Sequence, residues 1–502
     1  MSEAEARDRA ALAGPPAGDL LDTPEAGPAV IRGGVLRAGG YILGIALTVA
    51  STPLLIRHLG VVDYGRYLTV VSLIFIVAGV TEAGLTNIGV REYTERDADG
   101  RPAVVGNLLG LRISLTVVGV VCATAFAVVA GYDSAQVLGC LLAGAGLVLT
   151  VMQASYVVPL SSQLRLGWVT AAELVRQVLT VVGIVALVVA GASLAPFFAL
   201  PIVAGAGALA LTVWVLHGDV RLRPSFARSE WWALVRDALP YAAATALGIV
   251  YFRVTVVLMS LVASDTEVGY FSASFRIIEV LAGVPWLLAT SVFPILVRAA
   301  RDDRERLRYA LQRLVEVATI VGVWVSLALG LAAPFAIEVI AGPKFEPAVD
   351  VLRIQAATML GSFTMATLGF VLLSLRRHRE LLLANLLALA VATGLTLGLA
   401  PAHGAKGAAV ATVAAEFVLA GAYGLVLRVR HPELRISLRF LGPLSLAVAV
   451  AVVPVVALGL PAIAAACVAS IVYFAVLLAL HAIPPEVGEA FADRLRARRR
   501  GD

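Results

Sequence analysis

Apolar runs of about 20 residues recur from one end of the chain to the other, and a helix needs about that length to cross a bilayer. The runs are continuous rather than alternating, which selects helices over the strands of a membrane barrel. Of 502 residues, 60% are hydrophobic and 15% charged, whereas a soluble domain has about 45–50% and about 25%. The chain reads as an all-α integral membrane protein with about 14 transmembrane helices. They are expected at roughly 33–56, 67–90, 103–130, 135–158, 169–191, 194–216, 235–262, 274–297, 311–340, 350–374, 380–400, 405–427, 440–459 and 461–482.

Positive charge lies at alternate connections. Arg91, Arg96 and Arg101 open the series; clusters around Arg165, Arg223, Arg301, Arg377 and Arg430 continue it. The intervening connections, such as GYDSAQ at 131–136 and GLP at 459–461, are nearly bare. The positive-inside bias makes the arginine-rich set cytoplasmic and places both termini there, as a multi-pass protein of a cytoplasmic membrane. The net charge of +5 therefore reflects orientation, and nucleic acid is not an expected partner. Residues 1–30 lack the apolar core of a signal peptide and read as a disordered cytoplasmic tail. Residues 484–502 read as a second, basic tail. Cys122, Cys140 and Cys467 fall inside apolar runs and read as small core residues.

One short pattern occurs twice: Asp63-x-Gly65-x-Tyr67 and Glu267-x-Gly269-x-Phe271, 204 residues apart. Both read as non-cytoplasmic loops in the first hairpin of a six-helix set. The expected organisation is two six-helix lobes in parallel repeat, 31–217 and 218–430, followed by two extra helices in 431–483.

The first hairpin, RHLGVVDYGRYLTVVSLIFIVAGVTEAGLTNIGVRE, resembles that of Wzx-type polysaccharide flippases of the multidrug/oligosaccharidyl-lipid/polysaccharide exporter superfamily. Its "acid-x-Gly-Leu" turn is Glu82-Ala-Gly84-Leu85. ALVRDALPYA, VGYFSASFRIIEVL, SVFPILVRA, GPKFEPAVDVLRI and GAKGAAVATVAAE follow in the family's order, so the resemblance spans about residues 33–430. It implies a MATE-like fold and translocation of a polyprenyl-diphosphate-linked oligosaccharide by alternating access, for cell-surface polysaccharide biosynthesis in a bacterium. No catalytic residue, metal or cofactor is expected, and no nucleotide motif is present.

Ionisable residues inside spans are costly and mark cavities or partners. Those here are Arg37, Glu82, Arg112, Glu173, Arg176, Arg253, Arg276, Glu279, Glu316, Glu338 and Glu416. Arg112, Glu173 and Arg176 lie near span ends and can snorkel to the interface. Arg276 and Glu279 are three apart and can pair locally. Arg253 is mid-span, so it faces either a wet cavity or a buried carboxylate, with Glu82 and Glu279 as candidates. Guanidinium groups match phosphate oxygens bidentately, which makes Arg37, Arg253 and Arg276 the expected substrate contacts at the lobe interface. Glu82 and Glu279 are the expected coupling or gating residues, exchanging H⁺ or Na⁺.

Two other functions stay open. A drug or cation antiporter of the same superfamily needs carboxylates in the first lobe, where the first helix offers Arg37 instead. A polytopic polysaccharide polymerase or glycosyltransferase needs catalytic acids on a long external loop, and the outward connections here are short.

Overall fold

The computed structural model describes residues 26–82, 84–97, 99–217 and 224–483. They form a succession of helices with no strand among the described residues. The helices are α1 (Ala26–Glu82), α2 (Leu85–Glu95), α3 (Arg101–Val129), α4 (Ser134–Ser162), α5 (Leu166–Val189), α6 (Leu194–Val215) and α7 (Arg228–Val262). Then come α8 (Asp265–Asp302), α9 (Arg304–Ile340), α10 (Ala348–Ala356), α11 (Thr358–Ser374), α12 (His378–Arg430), α13 (Leu441–Leu458) and α14 (Ala462–Ala479). Among the described residues, 11 helices are long and apolar enough to cross a membrane, and Ala246–Val262 adds a shorter apolar one. Two long elements bend at a glycine: α1 at Gly60 (φ 73°) and α12 at Gly404 (φ 53°). The expected tails, 1–30 and 484–502, lie outside the described residues except for 26–30, which belong to α1.

Three sequence expectations change. The repeated acid-Gly-aromatic segments are not loops. The first follows the Gly60 bend directly and the second forms the opening turns of α8, capped by Ser264. A positive-φ glycine bends α1 and an N-cap opens α8, and acids in a first turn suit the helix dipole. The expected second helix is interrupted after Glu82, where Gly84 (φ 82°) separates α1 from α2. Of the cysteines, Cys140 is buried, whereas Cys122 and Cys467 are exposed. An outward face in lipid can be as apolar as a core, so position within a run did not distinguish them.

The described residues fall into two compact units. The first takes the chain up to Leu54 together with Leu73–Ala246; the second takes Leu55–Ser72 and the chain from Leu247 onward. In the first unit, α4 packs against α3 and α6, and α5 against α6. Small residues allow this: Gly139, Gly144 and Gly146 of α4 lie against Phe198, Val120 and Pro201. Leu108, Leu109, Tyr156 and Leu160 fill its core.

In the second unit, α11 packs against α8, α9 and α12. The α13–α14 pair packs on α9, where Trp324 Nε1 donates to Ser470 Oγ at 3.0 Å and Tyr473 Oη to the Ile320 carbonyl at 2.8 Å. Residues 55–72 belong to this unit through Ile56 and Tyr64, buried with Ile277, Phe345 and Met359. Arg57 Nη2 also donates to the carbonyls of Glu338 and Val339, at 2.8 and 2.6 Å.

Candidate functional site

The second unit holds a buried charge triad. Arg253 comes from α7, and Arg276 and Glu279 from one face of α8, a turn apart. Glu279 bridges both arginines: one carboxylate oxygen accepts from Arg253 Nη2 and the other from Arg276 Nη1 at 2.5 Å. The side chains of Arg253 and Glu279 are 4% and 15% exposed, while Arg276 keeps 25%. Phe252 and Phe275 lie 5.6 and 5.7 Å from the Arg253 guanidinium and wall it in. Tyr64 and Tyr67 lie within electrostatic reach of Arg276. Two guanidinium groups thus share one carboxylate among these three side chains.

Of the two sequence readings of Arg253, the structure realises the buried pair, and its partner is Glu279. The local pairing of Arg276 with Glu279 is realised too. Glu82, the other candidate partner of Arg253, is engaged in the first unit by Arg112 (Nη2 to Oε2, 2.6 Å). Arg112 therefore does not snorkel: its side chain is 0% exposed. The charge of Glu82 at the end of α1 draws it inward, and Thr86 Oγ1 accepts from Arg112 at 2.7 Å. Glu173 and Arg176 pair with each other at 2.5 Å while half-exposed, as span-end residues can. Arg37 lies in α1, but its side chain is outside the described residues.

A second feature in this unit carried no special weight in the sequence. Glu416 of α12 is buried, and its carboxylate accepts from Tyr251 Oη and Ser362 Oγ, both at 2.6 Å. It borders a cavity of about 40 Å³ also lined by Thr255, Thr358 and Thr412, room for one or a few waters. Glu416 makes no ion pair among the described residues, unlike Glu82 and Glu279. The signal available in the sequence was an acid inside an alanine-rich span. Its hydroxyl partners, 165 and 54 residues away, were not readable.

Comparison with known proteins locates this architecture. A family model described as polysaccharide biosynthesis protein matches residues 31–300. A search of curated proteins finds no match. Among solved structures, the chain is similar to the lipid II flippase MurJ in an inward closed conformation. That match has a TM-score of 0.72 at 12% identity, covering 88% of this chain and 98% of that one. It is also similar to an inward-facing multidrug resistance MATE family transporter, with TM-score 0.65, 15% identity, and 80% and 98% coverage. A eukaryotic MATE transporter matches at TM-score 0.54 and 14% identity, covering 80% and 96%. The fold is the one that MurJ and the MATE transporters share.

Proposed function

Because the chain belongs to the polysaccharide biosynthesis protein family, we propose that it is a flippase moving a polyprenyl-diphosphate-linked oligosaccharide across a bacterial cytoplasmic membrane. The observation that carries this reading is the pair of guanidinium groups, Arg253 and Arg276, that share the Glu279 carboxylate inside apolar helices. Guanidinium groups suit an anionic headgroup because their fork matches its phosphate oxygens.

Roles within the site divide by exposure. Arg276, the least covered of the three, makes the first phosphate contact, with Arg37 as a further proposed contact. Arg253 holds Glu279 in place and becomes available when phosphate displaces that carboxylate. Glu279 is then a gate: incoming phosphate and resident carboxylate compete for the same two guanidinium groups. Such an exchange is a differential interaction of the kind that alternating access requires.

Coupling to H⁺ or Na⁺, first expected at Glu82 and Glu279, is assigned more readily to Glu416. A carboxylate held by arginine has its charge already neutralised. Glu416 is met by hydroxyl groups and a small cavity instead. The same observation supports the second reading, a cation antiporter on this fold. Fourteen crossings are part of this reading, supported by splitting α1 and α12 at their bends and counting Ala246–Val262 as a span; the arginine-rich connections support cytoplasmic termini.

The deciding experiment is deletion followed by leaflet-resolved analysis of polyprenyl-linked sugars. Accumulation of the lipid-linked sugar on the cytoplasmic face is the expected result. Altered drug tolerance with normal sugar distribution points to the antiporter, and unpolymerised glycan outside the cell points to an enzyme.

A further inference from the structure

Away from the triad, on the arginine-rich side of the second unit, a histidine sits between a guanidinium and a carboxylate. His431 caps the end of α12 and is buried. Its Nε2 lies 3.2 Å from Arg377 Nε, in the turn that precedes α12. A guanidinium can only donate, so His431 Nε2 accepts and carries no proton. The neutral ring then keeps its proton on Nδ1, which donates to Glu433 Oε1 at 3.1 Å. The hydrogen-bond network thus assigns both the charge and the tautomer of the ring.

The segment that His431 opens, residues 431–440, is a strap between α12 and α13. Leu434 anchors it in a core shared with Leu307, Leu311 and Leu427. Further along, Gln312 of α9 holds Ser437 from both sides: Nε2 donates to the Ser437 carbonyl at 3.0 Å, and the Ser437 N–H donates to Oε1 at 2.7 Å. At its start the strap is tied to the turn before α12 by the Arg377–His431 hydrogen bond.

We propose that Arg377, His431 and Glu433 form a proton-operated clasp, in which protonation of His431 at Nε2 releases Arg377 and loosens the strap. With both ring nitrogens protonated, His431 presents a donor and a positive charge to a group that is itself a donor and positively charged. The Nδ1 contact to Glu433 survives, so the clasp opens on one side. The charged groups around the ring are Arg377 and Glu380, 3.4 Å apart, Glu433 on the strap, and Arg304 of α9, 3.8 Å from Glu433 Oε1. Arg428 and Arg430 in the last turn of α12 add positive charge. The Glu433 carboxyl is held below the usual carboxylate range by its own backbone N–H and then by His431. Histidine is the side chain whose ordinary titration lies close to neutral pH.

The test is hydrogen–deuterium exchange on the full-length protein in lipid nanodiscs, corrected for the intrinsic pH dependence of exchange. Peptides covering 431–440 are compared between about pH 8 and about pH 5.5, a range that spans ordinary imidazole titration. Wild type is expected to lose protection in the strap about tenfold at the lower pH, the change carried by about 1.4 kcal/mol. Peptides from α6 serve as the unchanged reference. His431→Gln, which offers an acceptor that does not titrate, is expected to stay flat. Arg377→Ala is expected to be loose at both pH values. Equal strap protection in wild type at both values overturns the clasp, as does a His431→Gln protein with the wild-type response. Should His431→Gln fail to fold, Arg377→Ala decides alone: a retained pH response in that variant overturns the proposal.

Discussion

Gly65, on the arm of α1 that follows its bend, and Gly269 of α8 meet backbone to backbone. A methyl group added at Gly65 would lie 2.7 Å from the amide nitrogen of Gly269, and one added at Gly269 would lie 2.1 Å from the carbonyl oxygen of Val61. Beside them Arg66 Nε pairs with Asp265 Oδ2 at 2.8 Å. The twice-written acid-Gly-aromatic segment is thus two halves of one contact within the second unit. Gly65→Ala and Gly269→Ala are each expected to destabilise by about 1–3 kcal/mol, since backbone cannot swing aside as a side chain does. Thermal unfolding of the purified variants measures this. Arg66→Ala, which removes a half-exposed ion pair, is expected to cost less than about 1 kcal/mol. A Gly269→Ala protein as stable as wild type would contradict the packing.

The triad predicts an order of stabilities. Glu279→Ala leaves two guanidinium groups without their shared carboxylate, and stranding a buried charge costs about 3–5 kcal/mol. Arg253→Met replaces a buried guanidinium with an apolar chain among Phe252 and Phe275, while Glu279 keeps Arg276. Arg253→Met should therefore be the milder change. Unfolding curves in detergent rank the two, and the reverse order would mean that water reaches Arg253.

Transport should depend on Arg276 more than stability does. A charge-assisted hydrogen bond contributes about 1.5–3 kcal/mol, so Arg276→Ala is expected to slow export of the lipid-linked sugar by about 10–100-fold at normal expression. Arg276→Lys keeps the charge but loses the fork and should recover only part of the rate. Full export by Arg276→Ala would remove this residue from the substrate site.

At the bend of α12, Glu267 Oε2 accepts from the Ala405 N–H at 2.7 Å, a donor freed by the left-handed Gly404. Glu267→Ala removes that cap and should destabilise by about 1 kcal/mol. Gly404→Ala is expected to be worse: its methyl group would fall 2.2 Å from the same oxygen, at a φ of +53° that alanine disfavours. Differential scanning of the two variants checks the order. Equal stability for both would show that α12 bends without this cap.

The membrane class, the helical content and many of the connections were legible in the residues. Turns such as Gly131 and Gly191, left-handed in the structure, coincide with the bare connections expected from composition. The Arg276–Glu279 pair was also readable, because three residues on one helix fix a shared face. Glu416 was visible as a buried acid but not as the centre of a hydroxyl-lined cavity. The Glu82–Arg112 pair was missed because a position near a span end permits snorkelling as well as burial.

What the chain alone determined is that it is built of apolar helices and where many of its turns lie, since length, apolarity and turn residues are local properties. Which charge meets which was decided by tertiary structure, as with Arg253 and Glu279, 26 residues apart on different helices. The reason lies in the solvent. When the outside of a helix is hydrocarbon, its outer face is as apolar as its inner one, and the hydrophobic period that reveals orientation in water is absent. Rotation of each helix about its axis, and with it the pairing of buried charges, is then set by packing alone.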